Sequence, residues 1–262
     1  MKQYKYVIGL EYCGSTYSGW QRQKHSQSIQ QVVEKSLSFV ANEPISLICA
    51  GRTDAGVHAT GQIAHFETSS IRTARGWLLG SNSRLPQNIR ILWIKPIDEN
   101  FHARFSAVSR LYRYIIFNSP VSSGLFSDKS SWYRQPLSHK KMKQAAQNLL
   151  GEQDFSAFRG AGCQSKSSFR NVQMIEVLRK KDLVFIDIRA NAFLYHMVRN
   201  IVGSLLEVGA ERQPVDWLKQ LLLKKDRNLA GATAPACGLY FIHAQYPECY
   251  NLPEQLRLPE LY

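Results

Sequence analysis

The stretch SLICAGRTDAGVHATGQIAHFET, Ser46 to Thr68, reads as two strands, SLICAGR and TGQIAHFET, on either side of a sharp turn. Gly51 and Gly56 can take backbone angles closed to other residues, so GRTDAG folds back tightly and holds Asp54 outward at its tip. Two readings of that aspartate stay open. A turn aspartate commonly caps nearby amides with its carboxylate. A carboxylate is also a nucleophile, and Arg52 stands two residues before this one, with His58 and His65 soon after.

Outward from the turn, the alternation of Tyr4, Tyr6, Ile8, Leu10 and Tyr12 predicts a half-buried opening strand. In SIQQVVEKSLSFV, Ser28 and Gln31 have capping-box spacing, and Ile29, Val32, Val33, Leu37 and Val40 recur at the helical period. This helix is expected to lie on a sheet made partly from the opening strand. A second helix around TARGWLLGSNSRL ends before Pro86, and IRILWIKPI follows as a strand. The pattern restarts near LYRYIIFN. SHKKMKQAAQNLLG predicts a helix with Met142, Ala145, Ala146, Leu149 and Leu150 on one face and Gly151 as its stop. NVQMIEVLRKKDLVFIDIRAN reads as a hairpin turned at Lys180 to Asp182. NAFLYHMVRNIVGSLLEVGA is a helix with Leu194, Met197, Val198, Ile201 and Leu205 as its apolar stripe. VDWLKQLLLKKD is a shorter helix and GLYFIHAQY a last strand. The expected class is therefore α+β, with domains at 1–108 and 109–262, each a mainly antiparallel sheet flanked by helices.

The 262 residues include 33 Lys+Arg against 20 Asp+Glu, a net charge of +13 that favours a polyanionic partner such as nucleic acid. The five cysteines form no CxxC pair and no close His/Cys cluster, which argues against a zinc module and a secreted disulfide framework. No run of about 18 apolar residues occurs, and the N-terminus lacks a compact apolar signal core. The expectation is a cytoplasmic chain with no membrane association.

For Asp54 to act as a nucleophile it must stay ionised, and a nearby arginine opposes the upward pKa shift that burial brings. Arg52 is close in sequence. Arg199, in HMVRNIVG, lies off the centre of its helix's apolar stripe and can reach across a cleft, or can be a solvated helix flank. Two other functions fit some of these residues. Asp54, His58 and His65 can be metal ligands of a hydrolase, or the chain can be a non-catalytic RNA binder that stacks bases on Tyr and Phe.

The run AGRTDAGVHATGQIAHF, with GWQRQ at Gly19 to Gln23, FHARFSA at Phe101 to Ala107, YRYII at Tyr112 to Ile116, CQS at Cys163 to Ser165 and NAFLYHMVRNIVG at Asn191 to Gly203, resembles the tRNA pseudouridine synthase A family across almost the whole chain. The resemblance implies conversion of uridine to pseudouridine at positions 38, 39 and 40 of the tRNA anticodon stem-loop, with Asp54 of the RTD motif as the essential aspartate. The reaction is redox neutral and adds no atoms, so it requires neither cofactor nor metal. By the same resemblance Tyr112 stacks on the target base, Arg199 pairs with Asp54, Arg52 contacts RNA or helps extrude the base, and His58 supports the loop or touches the RNA backbone. The family further implies a homodimer of two α+β domains per chain, with the active-site cleft between the domains. Arg22, Lys24, Arg104, Arg110 and Lys166 are candidate phosphate contacts.

Overall fold

The opening strand, β1 (Tyr4–Tyr12), lies between two antiparallel neighbours, β3 (His58–Thr68) and β4 (Ile89–Pro96). The computed structural model describes residues 3–253 and 256–261. The chain divides into two compact units, one of Met1–Arg110 with Tyr240–Glu260 and the other of Leu111–Leu239.

In the first unit the strand order is β4-β1-β3-β10, with a short β2 (Ile48–Cys49) also on β3 and β10 spanning Leu239–Gln245. Helices α1 (Ile29–Ala41) and α2 (Ala74–Asn82) carry the expected signals. The Ser28 hydroxyl caps α1 by accepting the Gln31 amide at 3.3 Å. From α2, Trp77 is fully buried against Tyr6 and Phe66, which are register partners on β1 and β3. The reading of β1 as half-buried is corrected by the other face. Val7 and its partner His65 are buried there, where the segment after β4 supplies the fully buried Phe101 and Ala103 donates its amide to His65 Nδ1.

The last strand also departs from the sequence boundary. β10 runs parallel to β3, with Tyr240 opposite His58 and Phe241 opposite Ala59, and this pairing draws Tyr240–Glu260 into the first unit rather than leaving 109–262 whole.

The second unit orders its strands β5-β9-β8-β7, where β5 is Ser109–Asn118, β7 Gly151–Asp154, β8 Phe169–Lys180 and β9 Leu183–Ala190. A short β6 (Ser131–Tyr133) pairs parallel with β5. The β8–β9 hairpin turns at Lys181 and Asp182 as expected, with Lys181 in the left-handed region at φ 53°. Helix α3 (His139–Ala146) stops earlier than its sequence suggests. A 3-10 turn follows it, Leu150 is exposed, and Gly151 opens β7 instead of ending the helix. Helix α4 (Met197–Gly209) likewise begins later, because His196 is left-handed at φ 59° and the backbone of Tyr195 is engaged by Gly160 and the Cys163 thiol. Leu194 is therefore buried outside the helix, which is itself buried on nearly every side. α5 (Trp217–Lys224) completes the unit, and among the described residues no helix is long and apolar enough to cross a membrane.

Inside this unit Arg113 on β5 forms a two-pronged ion pair with Asp187 on β9, both bonds at 2.8 Å and the side chains only 6% and 10% exposed. Removing one partner strands a buried charge. Asp187→Ala is expected to lower unfolding free energy by about 3–5 kcal/mol in urea titrations, whereas Arg113→Met with Asp187→Leu comes out near neutral. A loss below about 1 kcal/mol for the single variant contradicts this account.

Candidate functional site

Between β2 and β3 the chain makes the turn that carries Asp54, and its neighbours are fixed one by one. Thr53 is buried, and its hydroxyl lies 2.7 Å from the Tyr12 hydroxyl. Gln62 Nε2 donates to that same Tyr12 oxygen at 3.4 Å and to the Gly51 carbonyl at 2.8 Å, and the phenol carries its own proton into the pair with Thr53, in which either hydroxyl can donate. Burial raises the Tyr12 pKa well above its ordinary value, so the phenol keeps this proton. From the other side the Trp20 amide donates to the Thr53 carbonyl at 2.9 Å.

Gly19 and Trp20 in turn accept the first amides of α1, from Ile29 at 3.1 Å and Gln30 at 3.0 Å. The loop is thereby tied to both the sheet and the helix. Two glycines permit this closeness. Gly19 sits at φ 85°, and a Cβ there meets the Thr53 carbonyl oxygen at 2.7 Å; one on Gly14 meets the Val57 carbonyl oxygen at 1.9 Å. Between Thr53 and the exposed Ala55, Asp54 is half-buried, and the Asp54 carbonyl closes the turn by accepting the Val57 amide at 3.1 Å.

Arg52 is exposed beside it. Arg110 is not a free phosphate contact, since its guanidinium donates to the carbonyls of Ala50 at 3.2 Å, Ala107 at 3.0 Å and Arg104. Arg22 pairs with the buried Glu34, while Lys24, Arg104 and Lys166 are exposed. Burial pushes the Cys49 thiol up to about 12, against the opposing pull of Arg52 and then Arg104, so both cations act on the strand that leads into the loop.

The histidines are structural. His58 is 2% exposed, accepts the Gly14 amide on Nδ1 at 3.2 Å and stacks on Tyr240 at 4.7 Å. Of its two readings, loop support or contact with the RNA backbone, this geometry matches the first. His65 Nδ1 likewise accepts the Ala103 amide, at 3.1 Å. A neutral ring that accepts on Nδ1 carries its hydrogen on Nε2, so neither histidine offers a metal its lone pair. Among the described residues no group of three or more His, Cys, Asp or Glu is arranged to hold a metal ion. The hydrolase reading of Asp54, His58 and His65 therefore lacks its ligand set.

Tyr112 and Arg199 fall in the other unit, where they share surroundings. Tyr112 on β5 is buried with its ring edge-on to Phe193 at 5.0 Å. Two residues along the same face, Tyr114 donates its hydroxyl to the Pro235 carbonyl at 2.8 Å, and Arg199 Nε donates to the adjacent Ala234 carbonyl at 2.7 Å. Arg199 is half-buried near the start of α4, not a solvated flank. Sequence reasoning missed Tyr12, Gln62 and Arg110 as loop supports. Tyr12 reads as one more apolar strand position, and only the glycine of GWQRQ and the threonine of RTD hint at close contact.

With this geometry in view, the sequence matches the tRNA pseudouridine synthase family over residues 10–106 and 145–247. The chain belongs to that family. It is 59% identical to the tRNA pseudouridine synthase A of Hydrogenovibrio crunogenus, covering 94% of each chain, and 55% identical to that of Shewanella sp. strain W3-18-1, covering 95% of each. Among solved structures, a chain of a Cbf5-Nop10-Gar1 complex gives a TM-score of 0.41 at 12% identity, covering 91% of this chain and 48% of that one. A likeness that weak leaves the family resting on the sequence matches. The Asp54 loop and Arg199 lie inside the two matched spans, and Tyr112 falls between them.

His65 gives the fold a pH dependence. Burial, then the charges of His102 and Lys5, push its pKa down to about 4, with Glu67 opposing. Unfolded histidine takes up its proton near ~6.5, so below that pH the unfolded state binds more protons and stability falls until about 4. His65→Asn keeps an acceptor for Ala103, and its urea midpoint is expected to change less between pH 7.5 and 5 than that of the parent. Equal changes contradict this assignment.

Proposed function

We propose that this chain converts uridine to pseudouridine at positions 38, 39 and 40 in the anticodon stem-loop of tRNA, with Asp54 as nucleophile, acting in the cytoplasm as a homodimer. The supporting observation is that the RTD turn lies within a family match and holds an aspartate, half-buried, on a backbone fixed at the residue before it. The reaction breaks the bond between uracil N1 and ribose C1′, turns the base and joins C5 to C1′. The C5 proton leaves and N1 gains one, so atoms and electrons balance without a cofactor. A carboxylate can trap either the ribose or the base while the other fragment rotates.

Extruding a stacked base costs a few kcal/mol, and an aromatic face returns ~1–3 kcal/mol of it. We assign that face to Tyr112, the cation paired with Asp54 to Arg199, and RNA contact or base extrusion to Arg52. These three roles rest on the family resemblance at YRYII, HMVRNIVG and RTD. The net charge of +13 suits the polyanion.

Asp54→Asn keeps the size of the side chain and removes its charge. With tRNA tritiated at uridine C5, release of tritium is expected to fall by at least about 10³-fold while tRNA affinity stays within about twofold of the parent. Release at the parent rate contradicts the nucleophile, and a parallel loss of affinity assigns Asp54 to binding instead.

A further inference from the structure

The FHARFSA segment carries an exposed ring that the Asp54 chemistry does not use. Phe105 is 76% exposed, and the backbone that carries it is tied down locally. The His102 carbonyl accepts the Ser106 amide at 2.9 Å, and the Ser106 hydroxyl accepts the His102 amide at 3.0 Å, closing a small ring of backbone. His102 Nδ1 accepts the amides of both Arg104 and Phe105 at 3.2 Å, and the imidazole stacks on the Phe105 ring at 4.3 Å and 25°. Beneath, Ala103 is pinned by His65 through its amide and by Tyr246 through its carbonyl, at 3.1 and 2.6 Å.

With three quarters of the Phe105 surface open, His102 leaves most of the ring uncovered. The Arg104 guanidinium lies 5.5 Å from the ring centroid, within cation–π range. The platform is also tied to the loop of Asp54. Arg110 donates to the Arg104 carbonyl and to the carbonyl of Ala50, the residue immediately before Gly51, so one guanidinium fixes both segments. An open aromatic ring on a fixed backbone, with the Arg104 guanidinium beside it, has the chemistry of a nucleobase stacking site, since every base has a π-face and its phosphate brings the anion.

We propose that Phe105, backed by His102 and flanked by Arg104, stacks an unpaired base of the bound RNA other than the uridine being isomerised. The proposal rests on the reading of the chain as a tRNA-modifying enzyme. It makes Phe105 a binding residue, with Asp54 acting on a different nucleotide.

The test compares parent, Phe105→Tyr and Phe105→Leu, with Tm confirming that all three fold, on an anticodon stem-loop RNA carrying 2-aminopurine in turn at its unpaired positions. Phe105→Leu keeps apolar bulk and loses the aromatic face; its Kd is expected to rise about tenfold, with the quenching of one 2-aminopurine lost. Phe105→Tyr is expected to bind and quench like the parent. Parent-like binding and quenching by Phe105→Leu overturns the proposal. So does a change in oligomeric state with RNA affinity intact, which assigns the ring to a second copy of the chain. A parent that binds the RNA without forming pseudouridine defeats the enzymatic reading alone, because the binding comparison still reports on Phe105.

Discussion

The residue immediately before Asp54 is held from two directions. The Tyr12 hydroxyl reaches the Thr53 side chain and the Trp20 amide reaches the Thr53 carbonyl. A carboxylate on a freely moving turn samples many positions, and only a fraction of them lie in line with a glycosidic bond. For the nucleophilic role proposed for Asp54, fixing the preceding residue narrows that spread before substrate arrives. The cost appears elsewhere in the fold: a glycine at φ 85° where no Cβ fits, a buried phenol, and a glutamine whose amide serves two oxygens.

The same logic accounts for the polar groups around the loop. His58, four residues after Asp54 in sequence, accepts the Gly14 amide on Nδ1 and lays its ring on Tyr240. Arg110 looks like a phosphate contact and instead gathers carbonyls from two segments. Backbone that turns sharply beside a sheet leaves carbonyls and amides that water cannot fully reach, and these side chains satisfy them. Arg52 and Arg104, by contrast, are exposed.

Local chemistry made much of the fold readable. The Ser28 cap of α1, the two-residue turn after Lys180 and the strand after RTD follow from residue type and period alone, while the strand expected over SLICAGR shrinks to Ile48–Cys49. The failures came where tertiary contacts override period. A helix through Leu194 fits the apolar pattern, but Gly160 and Cys163 engage the backbone of Tyr195, and His196 takes a left-handed angle. The position of β10 depends on a parallel pairing with residues about 180 positions earlier, beyond the reach of any local signal. At the site, RTD pointed to Asp54, while Tyr12 and Gln62 looked like ordinary strand residues because their partners are distant in sequence.

The most direct test of the held turn is the rate of pseudouridine formation in a single turnover at saturating tRNA for Gly19→Ala. The added methyl meets the Thr53 carbonyl oxygen at 2.7 Å and the Asp54 and Ala55 backbone at 3.0 Å, so it displaces the turn itself. The account predicts a rate at least about tenfold below the parent, an added barrier near 1.4 kcal/mol, with tRNA affinity within about twofold. A folded Gly19→Ala protein that turns over at the parent rate contradicts it.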